Sequence, residues 1–127
     1  MDVDVRKVKA VNSGRCYLRE PGLDVLLRDA VSKGFLRATT DAIGAVRESD
    51  AVVIAVPTPV RDGVVDLSYL KEALIAVREG LYKGLLVVTE STIPPGTTVG
   101  FAKPLLEKSK LKIEDFCLAC VSERIAR

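Results

Sequence analysis

Three short polar segments hold the side chains best placed to do chemistry: Pro57-Thr58-Pro59, Glu90-Ser91-Thr92 and Ser122-Glu123-Arg124. Each directly follows a continuous apolar run. A carboxylate such as Glu123 can take a proton or orient a water, and a threonine hydroxyl can donate to or accept from a ligand. Near the start of the chain, Asp2-Val3-Asp4 and Lys7 place carboxylates and a cation close in sequence. Histidine, the commonest general base and metal ligand, is absent. Any Ser-His or Cys-His machinery must therefore lie elsewhere or not exist.

The chain has three cysteines, an odd number. A disulfide framework is not expected, which fits a reducing compartment. Cys117 and Cys120 form a C-x-x-C, but a single such pair without two further ligands makes no structural zinc site. A thioredoxin-type pair opens a helix, whereas this one lies inside an apolar run. Positions three apart in a strand face opposite sides, so both are expected to be small buried hydrophobes. Cys16 falls in a loop. No metal site is expected.

The elements that must position these residues are legible as periodicity. Ala51–Val56, Leu85–Thr89 and Phe116–Val121 are short apolar runs without alternation. Such runs predict strands buried on both faces, as in a parallel sheet covered by helices. Between the first two, Leu67, Leu70, Leu74, Val77 and Leu81 recur at helical spacing from Asp66, a good N-cap, to Leu81. That is one βαβ unit, whose crossover should be right-handed. Upstream, Leu23, Leu26, Leu27, Ala30 and Val31 predict a helix stopped by Gly34. Phe35–Ala38 could form a small strand. Thr40 is the expected cap of a helix carrying Ile43 and Val46, with Asp41 at its positive end. Downstream, Pro94-Pro95-Gly96 breaks the chain, Thr97 or Thr98 opens a helix, and Pro104 should kink or restart it. The sequence shows no repeat, low-complexity tract or interdomain linker.

The chain has 127 residues, of which 48% are hydrophobic. That supports one domain with a real core and not two. No apolar run approaches the roughly 20 residues of a membrane span, and the start MDVDVRKVKA has no signal-peptide core. The expected location is cytoplasmic. The net charge is +2, with mixed signs and only 5% aromatics. Nucleic-acid and membrane partners are therefore not expected.

In α/β sheets ligands bind beyond the carboxyl ends of the strands, which returns attention to the three polar segments. Their wording is specific. AVPTP, DLSYL and GLLVVTESTIPPGTT within Asp50–Thr98, EPGL at Glu20–Leu23, ATTD at Ala38–Asp41 and SER at Ser122–Arg124 occur in one order. In this the whole chain resembles the UDP-glucose/GDP-mannose dehydrogenase family, the nucleotide-sugar 6-dehydrogenases, and most of all their UDP-N-acetylmannosamine members.

The resemblance implies a reaction: NAD-dependent oxidation of the C6 alcohol of a UDP-sugar to the carboxylate, through a cysteine thiohemiacetal. It implies a fold: an incomplete Rossmann-type doubly wound parallel sheet lacking the first strand and the glycine-rich loop. The DVD at Asp2–Asp4 resembles the end of the second Rossmann strand. There Asp2 would accept from the adenosine ribose hydroxyls and disfavour the 2′-phosphate of NADP, with Lys7 at the same end of the cofactor. Thr58 matches a threonine that contacts NAD. Thr92 matches one near the nicotinamide and the catalytic water. Glu123 matches a glutamate that lines the sugar site and serves acid–base chemistry, although Ser122 replaces the family's usual proline. Arg124 matches a substrate-binding cation. Each has a plain structural alternative: a solvated terminus for Asp2, a rigid strand exit at Thr58, loop capping by Ser91 and Thr92, and surface charges at Glu123 and Arg124.

No G-x-G-x-x-G occurs, and no cysteine matches the family's nucleophile. Residues 1–127 are expected to be a partial N-terminal NAD-binding domain with the substrate domain absent. Without its central first strand, the Ala51–Val56 strand should expose an edge and favour a homo-oligomer. Two functions follow as alternatives. One is a piece of a UDP-sugar dehydrogenase, UDP-N-acetylmannosamine favoured and UDP-glucose possible. The other is a non-catalytic nucleotide-binding or assembly module left by gene truncation.

Overall fold

The computed structural model describes residues 1–123, which fall into two compact units, Met1–Ala45 and the chain from Val46 onward. In the first unit, helices α1 (Val5–Asn12) and α2 (Leu23–Ser32) are joined by a loop. Asp4 is the N-cap of α1 and its carboxylate accepts from the Arg6 amide at 2.8 Å. The expected strand end at Asp2–Asp4 does not form. Instead Asp2 Oδ1 accepts the Asp4 amide at 2.8 Å, turning the chain into the helix. Gly34, with a left-handed φ of 73°, ends α2 as expected.

Phe35–Ala38 is not a strand. The amides of Phe35 and Leu36 both return to the Ala30 carbonyl. Ala38 is held by one side chain: Asn12 donates to its carbonyl at 2.9 Å and accepts its amide at 2.7 Å. A side chain thus takes the place of a partner strand. Helix α3 (Ala42–Arg47) is capped by Asp41 and not by Thr40. The Asp41 carboxylate reaches the Gly44 amide at 2.9 Å, and Thr39 Oγ1 accepts the Asp41 amide at 3.0 Å.

The second unit holds a three-stranded parallel sheet in the order β1-β4-β5, made of β1 (Ala51–Ile54), β4 (Leu86–Thr89) and β5 (Cys117–Cys120). Ile54, Thr89 and Cys120 end the ladder in register. Between β1 and β4 lies a hairpin, β2 (Val60–Arg61) with β3 (Val64–Val65), and then helix α4 (Ser68–Gly80). Asp62 (φ 51°) and Gly63 (φ 77°) both take positive φ at the hairpin tip, the type I′ geometry that Asp-Gly favours. The N-cap of α4 is Leu67 and not the expected Asp66, which stands one residue earlier and accepts the Ser68 amide at 2.9 Å. After Pro94-Pro95-Gly96, a π-helical turn (Thr98–Ala102) passes into α5 (Lys103–Leu106) and a 3₁₀ turn (Glu107–Ser109). The change of helix type falls beside Pro104, which has no amide to hold the earlier register.

The core lies on one face of the sheet. Leu70, Leu74 and Val77 of α4, Ile54 of β1, Leu85, Val87, Ala102, Leu106 and Phe116 form one buried cluster. Val52, Val87 and Leu118 point into it, one from each strand. The opposite face carries Ala51, Val53, Leu86 and Cys117 and is exposed; Val53 reaches 59%. The expectation that the strands are buried on both faces therefore fails. So does the expectation that Cys117 and Cys120 are buried, since both thiols are exposed. Cys117 lies on the uncovered face, and Cys120 lies at the end of the outer strand.

Candidate functional site at the carboxyl ends of the strands

The parallel ladder aims all three strands at one rim. Backbone bonds extend the pairing slightly past the strands: the Glu90 amide donates to Ile54 O at 2.9 Å, Val121 N to Thr89 O at 2.9 Å, and Glu123 N to Glu90 O at 3.2 Å. The segments that follow line a hollow of ≈ 420 Å³, with Ala55, Val56 and Pro57 on one side and Glu90, Ser91, Thr92 and Glu123 on the other.

Two side-chain ties shape this rim. The Ser91 hydroxyl donates to the Val56 carbonyl at 2.8 Å and accepts the Val56 amide at 2.8 Å. The Thr58 hydroxyl donates to the Thr92 carbonyl at 2.8 Å. Ser91 is buried, whereas Thr92 is exposed. The Thr92 hydroxyl and the half-buried Glu90 carboxylate have no hydrogen-bond partner among the described residues. A hydroxyl and a carboxylate left unpaired beside a hollow are available to a ligand.

Thr58, Thr92 and Glu123 are thus brought to one rim. Sequence reasoning treated Ser91 as loop capping, and its double bond to Val56 had no signal beyond being a hydroxyl at a strand exit. Arg124 lies outside the described residues.

In the first unit, Asp2 and Lys7 come together. Lys7 Nζ stands 3.6 Å from Asp2 Oδ2 and 5.7 Å from the Tyr17 ring centre. The Asp2 side chain is 34% exposed, so one carboxylate oxygen remains within reach of a ligand while the other holds the Asp4 amide.

The shifted acidities serve the fold. A side-chain hydrogen bond from Arg6 holds the Asp4 carboxyl below the ordinary range. Hydrogen bonds from Ser68 do the same for Asp66, and the Lys112 amide and Lys83 do so for Asp115. A second hollow of ≈ 480 Å³ lies at the far end of α4, among Arg78, Glu79, Leu81 and Lys108–Lys110. There Arg78 pairs with Glu79 at 2.7 Å, and Lys108 and Lys110 lie near the carboxyl end of α4, where the helix dipole favours cations. Among the described residues no cluster of three or more metal-ligating side chains occurs, and no helix is long and apolar enough to cross a membrane.

The chain is similar to known proteins in sequence and fold. Residues 1–127 match the family described as UDP-glucose/GDP-mannose dehydrogenase family, NAD binding domain. An NDP-N-acetyl-D-galactosaminuronic acid dehydrogenase of Ralstonia nicotianae is 46% identical over 77% of this chain and 22% of its own length. The UDP-N-acetyl-D-mannosamine dehydrogenase of Pyrococcus horikoshii is 38% identical over 98% of this chain and 30% of its own. Among solved structures, a ternary complex of GDP-mannose dehydrogenase from Pseudomonas aeruginosa superposes with a TM-score of 0.94 at 32% identity, covering 100% of this chain and 30% of that one. The chain therefore spans less than a third of the length of these relatives.

Proposed function

The chain belongs to the UDP-glucose/GDP-mannose dehydrogenase family, within its NAD-binding domain, and from that premise we propose that it is the cofactor-binding part of an enzyme oxidising the C6 alcohol of a UDP-sugar. UDP-N-acetylmannosamine is the favoured substrate, as the names of several relatives suggest.

The observation that carries the reading is the rim beyond β1, β4 and β5. An exposed Thr92 hydroxyl and the Glu90 and Glu123 carboxylates surround a hollow whose walls are tied together. Bound NAD supplies the hydride acceptor. Thr92 would hold the nicotinamide end and orient a water, with Thr58 behind it. Glu123 would face the sugar, where a carboxylate can take up or return a proton. Arg124 would bind the substrate's anionic part. In the first unit, Asp2 would accept from the adenosine ribose hydroxyls beside Lys7. Residues 1–127 contain no G-x-G-x-x-G to hold the pyrophosphate of NAD.

Affinity for NAD should therefore be weak, with a Kd on the order of 1 mM, about −4 kcal/mol. Calorimetric titration of the chain with NAD tests the reading, and the absence of heat at millimolar NAD would sink it. Turnover of a UDP-sugar by this chain alone is not expected, since no cysteine matches the family's nucleophile.

A second reading, a non-catalytic assembly module, is favoured by the outer edge of β1, which pairs with no strand among the described residues. Its mark would be self-association that NAD leaves unchanged.

A further inference from the structure

At the rim the three strands end at Ile54, Thr89 and Cys120, and on the β1–β4 side the last backbone bond runs from the Glu90 amide to the Ile54 carbonyl. Beyond that point nothing in a parallel sheet obliges neighbouring segments to stay together. Yet Val56 has both its amide and its carbonyl satisfied, and by a single atom, the Ser91 hydroxyl oxygen. One oxygen accepts as a carbonyl would and donates as an amide would, so it stands in for a missing residue of the ladder. Ser91 is 8% exposed. Two residues further on, the Thr58 hydroxyl makes the second tie, to the Thr92 carbonyl. The segments 56–58 and 91–92 are thereby cross-linked at both ends.

This arrangement divides the labour within Glu90-Ser91-Thr92. The outer two side chains have no partner among the described residues, while the middle one is buried with its only proton committed. Resting on the cofactor reading above, we propose that Ser91 is a positioning residue: it touches no ligand and holds the Thr92 hydroxyl and the Glu90 carboxylate in place for the nicotinamide end of NAD. Removing the hydroxyl leaves the Val56 amide and carbonyl unpaired, and beyond the Glu90–Ile54 bond only the Thr58–Thr92 tie still holds the two segments together. If the tied geometry then falls to about a tenth of the population, the apparent Kd rises roughly tenfold.

The test uses the full chain, NAD as the probe, and amide hydrogen exchange at Val56. In Ser91→Ala, Val56 exchange should accelerate and NAD affinity should fall about tenfold, at a temperature where circular dichroism shows the variant folded. Ser91→Thr keeps the hydroxyl and should hold both readouts within about twofold of the wild type. It carries the test if Ser91→Ala does not fold. Val77→Ala weakens the same core away from the rim and should leave the NAD Kd unchanged.

Wild-type binding of NAD with an unaltered Kd in Ser91→Ala would overturn the positioning role alone. An equal loss of affinity in Val77→Ala, or in Ser91→Thr, would also overturn it. No binding of NAD by the wild type would bring down the cofactor reading and this role with it.

Discussion

Asp2→Asn separates the fold from the cofactor at the adenosine end. One Asp2 oxygen accepts the Asp4 amide at 2.8 Å and the other lies 3.6 Å from Lys7 Nζ. Asparagine keeps an acceptor for the amide, so the turn into α1 survives. What disappears is the charge. A hydrogen bond to a charged acceptor contributes about 1.5–3 kcal/mol, against roughly 0.5–1.5 for a neutral one. Two ribose hydroxyls should therefore lose about 2–3 kcal/mol together, or roughly 30- to 150-fold in NAD affinity. NADP should lose less, because the carboxylate that repels its 2′-phosphate has gone. The assay is competitive titration of NAD and NADP, with circular dichroism confirming that α1 persists. NAD affinity within about twofold of the wild type, with an unchanged preference over NADP, would refute the reasoning.

Leu74 is fully buried on the inner face of α4, and Leu74→Ala should lower unfolding stability by about 2.7–5 kcal/mol in urea melts; a loss below roughly 1 kcal/mol would mean that the site collapses around the gap. Acid should unfold the chain through Asp4, Asp66 and Asp115, whose folded carboxyls lie below the ordinary value of 3.8. Their contribution is complete above that value and is lost as pH falls through the lowered ones. With no histidine to titrate, urea midpoints should be flat from neutral to about pH 5 and fall below it. Asp115→Asn should flatten the acid limb. The outer edge of β1 pairs with no strand among the described residues, so the chain should self-associate with concentration in size-exclusion chromatography, and Val53→Lys should suppress it. A wild type that stays monomeric throughout would remove the case for edge pairing.

How far the fold could be read depended on the range of the forces involved. The three apolar runs and the helical spacing of Leu70, Leu74 and Val77 were legible because burial imposes a period on the chain itself. The order of the motifs likewise revealed the family, and with it NAD. Asp66 was legible as an acceptor at the start of α4 because its partner, Ser68, lies two residues away, although the cap position itself fell to Leu67. The Asp62-Gly63 hairpin carried a readable turn signal that the apolar pattern overshadowed.

Other features were decided only by tertiary structure. Thr40 and Asp41 both suit a cap, and the distance to the Gly44 amide chose Asp41. Phe35–Ala38 has strand composition, but the Asn12 side chain, 26 residues away, took the partner's place. Cys117 and Val53 lie in runs without alternation that read as buried on both faces, yet an apolar run cannot show that a second layer covers the far face. Ser91 meets Val56 across 35 residues, a contact that exists only once β1 and β4 are paired. The sequence by itself determined the three parallel strands, the helix that joins the first two, and the family they belong to. The paired strands decided which hydroxyl is tied and which stays available, because that depends on atoms brought together from distant parts of the chain.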